Sequence, residues 1–214
     1  MIVRLFCLLL LLAFAPLSGA HAQTAAGGPG SAPRAILVMG DSLSAEYGLT
    51  RGTGWVARLE ERLRRDHPQY RVVNASVSGE TTSGGVNRLP PLLAEHRPAI
   101  VILELGGNDA LRGLSLDMTE RNLDAMAGMV RQARARLLVA GMQIPPNYGR
   151  AYTERFRGLF ARTAQAHQAA LVPFLLEGIA EDRANFQPDG IHPSEAAQPV
   201  LMENVWKALE PLLR

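Results

Sequence analysis

Residues 35–44 read AILVMGDSLS, a run of five apolar side chains followed directly by a glycine, an aspartate and a serine. A short, continuously apolar run is typical of a strand that is covered on both faces of a parallel sheet. Gly40 permits a sharp turn after this strand, so Ser42 is predicted to lie where the chain leaves the sheet. The backbone amide at such a point is free to bind an anion. A turn or helix-capping role for the serine is the alternative.

Further apolar runs alternate with helical patterns along the chain, which is 47% hydrophobic. The predicted strands cover residues 35–39, 70–74, 99–105, 137–141 and 170–173. The predicted helices cover residues 54–67, 82–96, 119–134 and 151–168. This alternation favours an α/β fold, a three-layer α/β/α sandwich around a five-stranded parallel sheet. Ligands bind such sheets beyond the carboxyl ends of the strands, where Ser42 is predicted to lie.

Prolines affect two of the predicted helices. Pro90 and Pro91 are predicted to break the second helix into two pieces, because neither residue can donate an amide hydrogen bond. In the last helix, Ser194 resembles an N-cap, but Pro199 would then fall inside the helix. This helix is therefore expected either to begin at Gln198 or to kink there.

Residues 1–22 are predicted to be a secretory signal peptide, with a basic start, a leucine-rich segment and small residues before cleavage after Ala22. An uncleaved membrane anchor is the alternative, although the apolar segment is shorter than the about 20 residues that span a bilayer. Cys7, the only cysteine, lies inside that segment, which argues against a lipoprotein anchor and leaves the mature chain without a disulfide. Residues 23–33 are predicted to be a flexible leader, and residues 34–214 to form a single domain.

The charged and histidine residues argue against two classes of partner. The formal net charge is +2 and the sequence pI is about 9.0, but acidic and basic residues alternate, as in residues 60–65. This pattern is typical of a solvated helix face and not of a nucleic-acid-binding surface. His67, His96 and His167 fall near predicted helix ends, and the histidines offer no metal-ligand spacing.

An aspartate and a histidine lie three residues apart in residues 188–193, PDGIHP. The two prolines and Gly190 favour a rigid loop over a helix. In such a loop the Asp189 carboxylate can bind one ring nitrogen of His192 and leave the other facing a serine. A serine, a histidine and an aspartate are the minimum set that activates a hydroxyl as a nucleophile. A surface turn with an exposed histidine is the alternative.

Two other loops offer hydrogen-bond donors for a negatively charged oxygen. Residues 106–109, GGND, follow the third predicted strand and supply Asn108, whose amide donates without titrating. Gly79 follows the second strand and can present its backbone amide with no side chain in the way. An Asn-Asp turn and a helix-capping loop are the respective alternatives. Asp109 is interpreted as structural, because Asp189 already fills the role of the acid.

Together these segments resemble the SGNH hydrolase family, also called GDSL esterases. The matching blocks are residues 40–44, Gly79, residues 106–109 and residues 189–193. The resemblance spans residues 34–214 and implies a flavodoxin-like SGNH hydrolase fold. Residues 141–149, GMQIPPNYG, further resemble a branch of periplasmic acyl thioesterase, arylesterase and lysophospholipase enzymes of Gram-negative bacteria.

This resemblance implies a role for each matching residue. Ser42, His192 and Asp189 would form the catalytic triad. The backbone amides of Ser42 and Gly79 and the side chain of Asn108 would form the oxyanion hole. Neighbouring side chains are expected to contact the substrate: Asp41, Leu43, Leu111, Pro145 and Ile191. The family requires neither a metal nor a cofactor.

The expected protein is a secreted or periplasmic serine esterase. Its expected substrates are small-molecule or lipid esters, including aryl and acyl esters, thioesters and lysophospholipids. A carbohydrate O-deacetylase on the same scaffold and a catalytically silent binding domain are the alternatives. We expect a monomer with no nucleic-acid partner and no stable membrane insertion after signal cleavage.

Overall fold

A five-stranded sheet with the strand order β2-β1-β3-β4-β5 forms the centre of the fold, and every pair of neighbouring strands is parallel. The computed structural model describes residues 32–214, so the predicted signal peptide and nearly all of the predicted leader lie outside the described residues. The strands are β1 (Arg34–Gly40), β2 (Tyr70–Asn74), β3 (Ile100–Glu104), β4 (Arg136–Ala140) and β5 (Ala170–Val172). The predicted five-stranded parallel sheet is therefore confirmed, in the flavodoxin-like order.

Helices cover the sheet in two groups. Their bounds are α1 (Trp55–Asp66), α2 (Thr82–His96), α3 (Gly107–Leu111), α4 (Leu116–Gln132), α5 (Arg150–His167) and α6 (Gln198–Leu209). Helix α1 packs against α6, whereas α4 packs between α2 and α5. The two groups cover opposite faces of the sheet and give the predicted three-layer sandwich. Among residues 32–214, no helix has both the length and the apolar character needed to cross a lipid bilayer.

The central strands are buried on both faces, as their apolar runs predict. All of β3 is buried, and in β1 only the first residue is exposed. The register pairs Gly40, the last residue of β1, with Glu104, the last residue of β3. The two strands therefore end at the same level, and the loops that follow them begin side by side.

The prediction that Pro90 and Pro91 break the second helix is wrong, because α2 continues through both prolines. Both rings are exposed, so water can bind the carbonyl groups that the prolines leave without a donor. On the opposite side of the helix, Leu89 and Leu93 are buried in the core. This packing offsets the cost of the prolines, because tertiary contacts supply most of the stability of helices in proteins.

The last helix begins at Gln198, which confirms one of the two predicted alternatives. Pro199 lies in its first turn, where an amide has no partner inside the helix. Ser194 precedes a short 3₁₀ turn, Glu195–Ala197, and makes no side-chain cap. The buried Gln198 side chain instead accepts a hydrogen bond of 3.0 Å from the amide of Trp55 and so ties α6 to the start of α1.

Candidate active site

Three loops that carry predicted site residues leave adjacent strands at one edge of the sheet. Ser42 follows β1, Gly79 follows β2, and Asn108 lies in α3 directly after β3. Strand β1 lies between β2 and β3, and the chain reverses its direction of travel across the sheet there. Such a switch point opens a crevice at the carboxyl ends of the strands, which is where ligands bind in this class of fold.

The structure brings the serine, histidine and aspartate into contact. Ser42 Oγ lies 2.8 Å from His192 Nε2, although 150 residues separate the two in the chain. His192 Nδ1 lies 2.6 Å from Asp189 Oδ2. With a proton on Nδ1, the imidazole donates to the carboxylate and its Nε2 can accept the serine proton. These distances are those of a nucleophile, a base and a group that orients the base.

The Asp189 carboxylate is fixed by its own loop. Its Oδ1 accepts hydrogen bonds from the backbone amides of Ile191 at 2.9 Å and His192 at 3.0 Å. Gly190 has φ +75°, a left-handed conformation that glycine adopts without the strain of a side chain. The hydrogen bond from the Ile191 amide, with those from His192, lowers the pKa of Asp189 to about 2. Asp189 is therefore a carboxylate wherever His192 can act as a base.

Three further side chains hold the histidine loop in place, two of them by contacts between it and the serine loop. The Arg183 guanidinium donates to the carbonyl oxygens of Gln187 at 2.7 Å and Pro188 at 2.6 Å. The Gln187 side-chain amide donates to the carbonyl oxygen of Tyr47 at 2.8 Å. The rings of Tyr47 and His192 also pack together, with centroids 4.4 Å apart. None of these three side chains was predicted to belong to the site, because nothing in their local sequence shows which loops meet.

Two backbone amides at the site have no internal acceptor. Within residues 32–214, neither the Ser42 amide nor the Gly79 amide donates a hydrogen bond to another protein group. Gly79 has φ +78°, a conformation that favours glycine over residues with a side chain. Both amides are thus available to an incoming acceptor, as an oxyanion hole requires.

The Asn108 side chain is held in place by two acceptors. Its Nδ2 lies 2.9 Å from Asp41 Oδ2 and 3.0 Å from the carbonyl oxygen of Glu80. These two hydrogen bonds aim the amide between the β1 and β2 loops. An oxyanion bound there would share the amide protons of Asn108 with these acceptors.

Asp41, one of the residues predicted to contact the substrate, is buried and bound to protein groups. It is 3% exposed. Its Oδ1 accepts a 3.0 Å hydrogen bond from the Leu43 amide, and its Oδ2 accepts the bond from Asn108. Burial raises the pKa of Asp41 to about 6, although both hydrogen bonds oppose this shift. The side chain therefore links the nucleophile loop to the predicted oxyanion donor.

Glu104 is a second buried carboxyl group beneath the site. Its Oε2 accepts hydrogen bonds from the Ser44 hydroxyl at 2.7 Å and from the Asp41 amide at 3.2 Å. Burial, followed by repulsion from Asp41, raises the pKa of Glu104 well above its ordinary value. The sequence could have indicated the role of Glu104, because a carboxyl group inside an apolar strand needs a buried hydrogen-bond partner.

Asp109 occupies a structural position, in agreement with its interpretation from the sequence. It is buried and accepts hydrogen bonds from the Thr82 amide at 2.9 Å and from the Thr82 hydroxyl. The Thr119 hydroxyl donates a third, longer bond of 3.3 Å. Asp109 thus joins α3 to the start of α2 and to α4.

The other residues that were expected to contact the substrate lie on loops at this edge of the sheet. Leu43 and Leu111 are half-buried, while Pro145 and Ile191 are exposed. The Tyr148 hydroxyl donates a 2.9 Å hydrogen bond to the carbonyl oxygen of Leu111 and so connects the loops after β3 and β4. Their roles in substrate binding stay predictions.

The histidines outside the site lie at helix ends, as predicted. His67 caps α1, while His96 and His167 are the last residues of α2 and α5. Within residues 32–214, no group of three or more His, Cys, Asp or Glu side chains is arranged to hold a metal ion.

This fold and this Ser-His-Asp arrangement define a serine hydrolase of the α/β/α class. Residues 38–199 match the GDSL-like lipase/acylhydrolase family, and the chain belongs to this family. It is a carboxylic ester hydrolase of the SGNH type.

Similar proteins support this assignment in both sequence and structure. The esterase TesA of Pseudomonas aeruginosa is 51% identical over 183 residues, which cover 86% of this chain and 91% of TesA. Thioesterase 1/protease 1/lysophospholipase L1 of Escherichia coli K12 is 39% identical over 178 residues, 83% of this chain and 84% of that protein. A crystal structure of TesA matches with a TM-score of 0.81 and covers 84% of this chain and 99% of the crystallised one.

Proposed function

We propose that this chain hydrolyses aryl and acyl esters, thioesters and lysophospholipids through an acyl-enzyme on Ser42. The 2.8 Å contact between Ser42 Oγ and His192 Nε2 carries the proposal, because it pairs a hydroxyl with a base that is itself oriented by a carboxylate. The similarity to TesA and to thioesterase 1/protease 1/lysophospholipase L1 supports the range of substrates.

In the first half of the reaction, His192 Nε2 takes the proton from Ser42 as Oγ attacks the acyl carbonyl carbon. The carbonyl oxygen becomes negative and is bound by the amides of Ser42 and Gly79 and by the Asn108 side chain. Asp189 stabilises the imidazolium that forms and keeps its ring in the required orientation. His192 then gives its proton to the leaving alcohol or thiol, and the acyl group stays on Ser42.

In the second half, a water molecule replaces the leaving group. His192 accepts a proton from this water, whose oxygen attacks the acyl carbon while the same three donors bind the oxyanion. Collapse of the intermediate breaks the bond to Ser42 Oγ, which takes back the proton from His192. The carboxylic acid is released and the enzyme returns to its starting state.

We also propose that the mature enzyme acts in the periplasm or outside the cell. The predicted signal peptide, residues 1–22, supports this location. Intact-mass measurement of protein from the cell envelope tests it. A mature chain that begins at Gln23 is expected, and a mass that includes Met1 to Ala22 would refute cleavage.

The activity is tested with p-nitrophenyl acetate and butyrate on the wild type and Ser42→Ala. The variant is expected to lose turnover by at least about 10³-fold, because the nucleophile is absent. Ser83→Ala, which alters an exposed serine on α2, is the matched control and should behave as the wild type. Background rates from both the wild type and Ser42→Ala would instead favour a binding domain.

The substrate range is tested with a series of acyl chain lengths, presented as oxygen esters and as thioesters. Acetylated xylo-oligosaccharides form a further arm. Measurable kcat/KM on aryl esters, thioesters and a lysophospholipid is the expected outcome. Hydrolysis confined to sugar acetates would replace this proposal with a carbohydrate O-deacetylase.

A further inference from the structure

Arg112 lies next to the glycine of the proposed oxyanion hole. Its Nη2 donates a 3.0 Å hydrogen bond to the carbonyl oxygen of Gly79. The same nitrogen would be 3.5 Å from a Cβ atom built on Gly79, so the guanidinium rests against the α-carbon of that residue. A substrate whose carbonyl oxygen binds the Gly79 amide would therefore have its neighbouring atoms close to Arg112.

Most N–H donors of the Arg112 guanidinium are available to a ligand. The side chain is exposed, and in the described part of the chain it forms no ion pair with a carboxylate. Nearby arginines differ, since Arg88 is paired with Glu80 and Arg155 with Asp117. A guanidinium carries five N–H donors, and the Gly79 carbonyl occupies one of them. A full positive charge with free donors thus lies at the rim of the site.

The loop that carries Arg112 is held in place by tyrosines. The Tyr148 hydroxyl donates to the carbonyl oxygen of Leu111 at 2.9 Å, and the Tyr152 hydroxyl donates to that of Leu114 at 3.0 Å. The backbone is therefore anchored on both sides of Arg112. The fixed backbone and the hydrogen bond to the Gly79 carbonyl oxygen restrict the side chain, so Arg112 loses less freedom on binding a ligand than a surface arginine without contacts.

We propose that Arg112 is a specificity-determining residue that binds a phosphate group on the leaving-group side of the substrate. This inference rests on the proposed function. Guanidinium groups match the geometry of phosphate oxygens and form charge-assisted hydrogen bonds with them. The leaving-group side is favoured, because an apolar acyl chain would gain nothing from a charged, hydrated side chain.

Two substrate classes present a phosphate in this way. A lysophospholipid carries it beyond the glycerol of the ester, and an acyl-coenzyme A carries it at the far end of the pantetheine arm of the thioester. Both share the recognition chemistry, so the experiment uses each with a partner that lacks phosphate. All four compounds carry an octanoyl chain: lysophosphatidylcholine against monoacylglycerol, and acyl-coenzyme A against the acyl N-acetylcysteamine thioester.

The readout is the ratio of kcat/KM for the phosphate-bearing compound to kcat/KM for its phosphate-free partner. Arg112→Gln is expected to lower this ratio about tenfold, near the lower end for a hydrogen bond to a charged group because the site is open to water. Arg112→Lys should recover part of the ratio, since a lysine keeps the charge without the planar fork. In the wild type the ratio should also fall as salt is raised, whereas in Arg112→Gln it should change little.

Arg64→Gln is the matched control, since Arg64 is an exposed arginine in the last turn of α1, at the opposite edge of the sheet. It should leave both ratios as in the wild type. A fall in one pair only identifies that compound class as the source of the phosphate. An equal loss on all four compounds would make Arg112 a structural support of Gly79 and overturn the inference. Unchanged ratios would overturn it too, while activity on p-nitrophenyl esters separately tests the proposed esterase.

Discussion

The hydrogen bonds of Asp41 predict that Asp41→Asn lowers turnover through its effect on Asn108, the predicted oxyanion donor. Asparagine can keep an oxygen for the Leu43 amide, but its NH₂ group then faces the NH₂ group of Asn108, which now donates to Asp41 at 2.9 Å. Two donors cannot satisfy each other. Asn108 is therefore expected to turn away from the position in which it faces the oxyanion.

The size of the effect follows from this mismatch. A buried donor without an acceptor costs about 1–3 kcal/mol. At about 1.4 kcal/mol for each factor of ten in rate, a loss of this size in the transition state lowers kcat about 5- to 150-fold. Most of this range lies below the about 10²–10³-fold loss expected when an oxyanion donor is removed altogether. KM should change little, because the ground-state carbonyl binds the oxyanion hole weakly.

The pH dependence gives an independent readout. Burial raises the pKa of Asp41 to about 6, and a proton on either oxygen weakens an acceptor that now binds an N–H group. As the pH falls through about 6, Asp41 takes up a proton, and this is expected to lower wild-type kcat. Asp41→Asn has no such proton to take up, so its kcat should decline less steeply toward low pH. Asp189, with its pKa lowered to about 2, does not titrate in this range.

The assay measures p-nitrophenyl butyrate hydrolysis at pH values on both sides of the pKa of Asp41, from about 4.5 to about 8. Thermal unfolding confirms that the variant is folded. A kcat within twofold of the wild type and an unchanged acid limb would refute the positioning role. A rise in kcat would show that Asp41 competes with the oxyanion for the protons of Asn108. Either result would also remove the reason to treat the burial of Asp41 as part of catalysis.

Three further substitutions test other parts of the structure. In Asp189→Asn, the new side chain can still accept hydrogen bonds from the loop amides, but it offers an N–H group to His192 Nδ1, so the ring takes the wrong tautomer. We expect kcat to fall about 10³–10⁴-fold, while the affinity for a substrate analogue does not fall in this way. Asn108→Ala should lose about 10²–10³-fold in kcat while thermal unfolding shows a folded protein; near-normal turnover would exclude Asn108 from the oxyanion hole. Pro91→Ala should raise the free energy of unfolding by about 1–3 kcal/mol in urea titration, because the exposed helix regains a hydrogen-bonding amide; a destabilised variant would contradict this account of α2.

The fold could be predicted because its central strands are unusually simple in sequence. Residues 35–39 and 100–104 are almost entirely apolar and buried on both faces, so their periodicity alone separates them from the amphipathic helices. Helix boundaries were harder to predict. Helix α4 begins at Leu116 and not at Thr119, and the five residues of α3 are too few to show a helical period. The two prolines of α2 led to a wrong prediction of a helix break, because local helix propensity does not include the packing of the buried face of the helix.

The site divides in a similar way into predictable and unpredictable parts. Local turn residues in the sequence indicate four of the site residues, namely Ser42, His192, Gly79 and Asn108. The resemblance of these segments to the family blocks predicts that the four belong to one site. The residues that connect the loops to one another lie in no recognisable sequence motif. The Gln187 side chain, for example, binds the carbonyl oxygen of Tyr47, and the two lie 140 residues apart. Contacts of this kind depend on the packing of the finished fold and not on spacing in the chain.

The buried carboxyl groups show how the fold aligns loops that leave different strands. Asp41 ties the nucleophile loop to Asn108, Glu104 ties the end of β3 to Ser44, and Asp109 ties α3 to the start of α2 through Thr82. Burial of such groups is costly, and apolar residues of similar volume often serve stability as well or better. Apolar contacts have no direction, however, whereas each of these bonds fixes the orientation of a neighbouring group. The carboxyl groups are therefore best explained by the need to aim the donors around Ser42, and substitutions there should affect turnover more than stability.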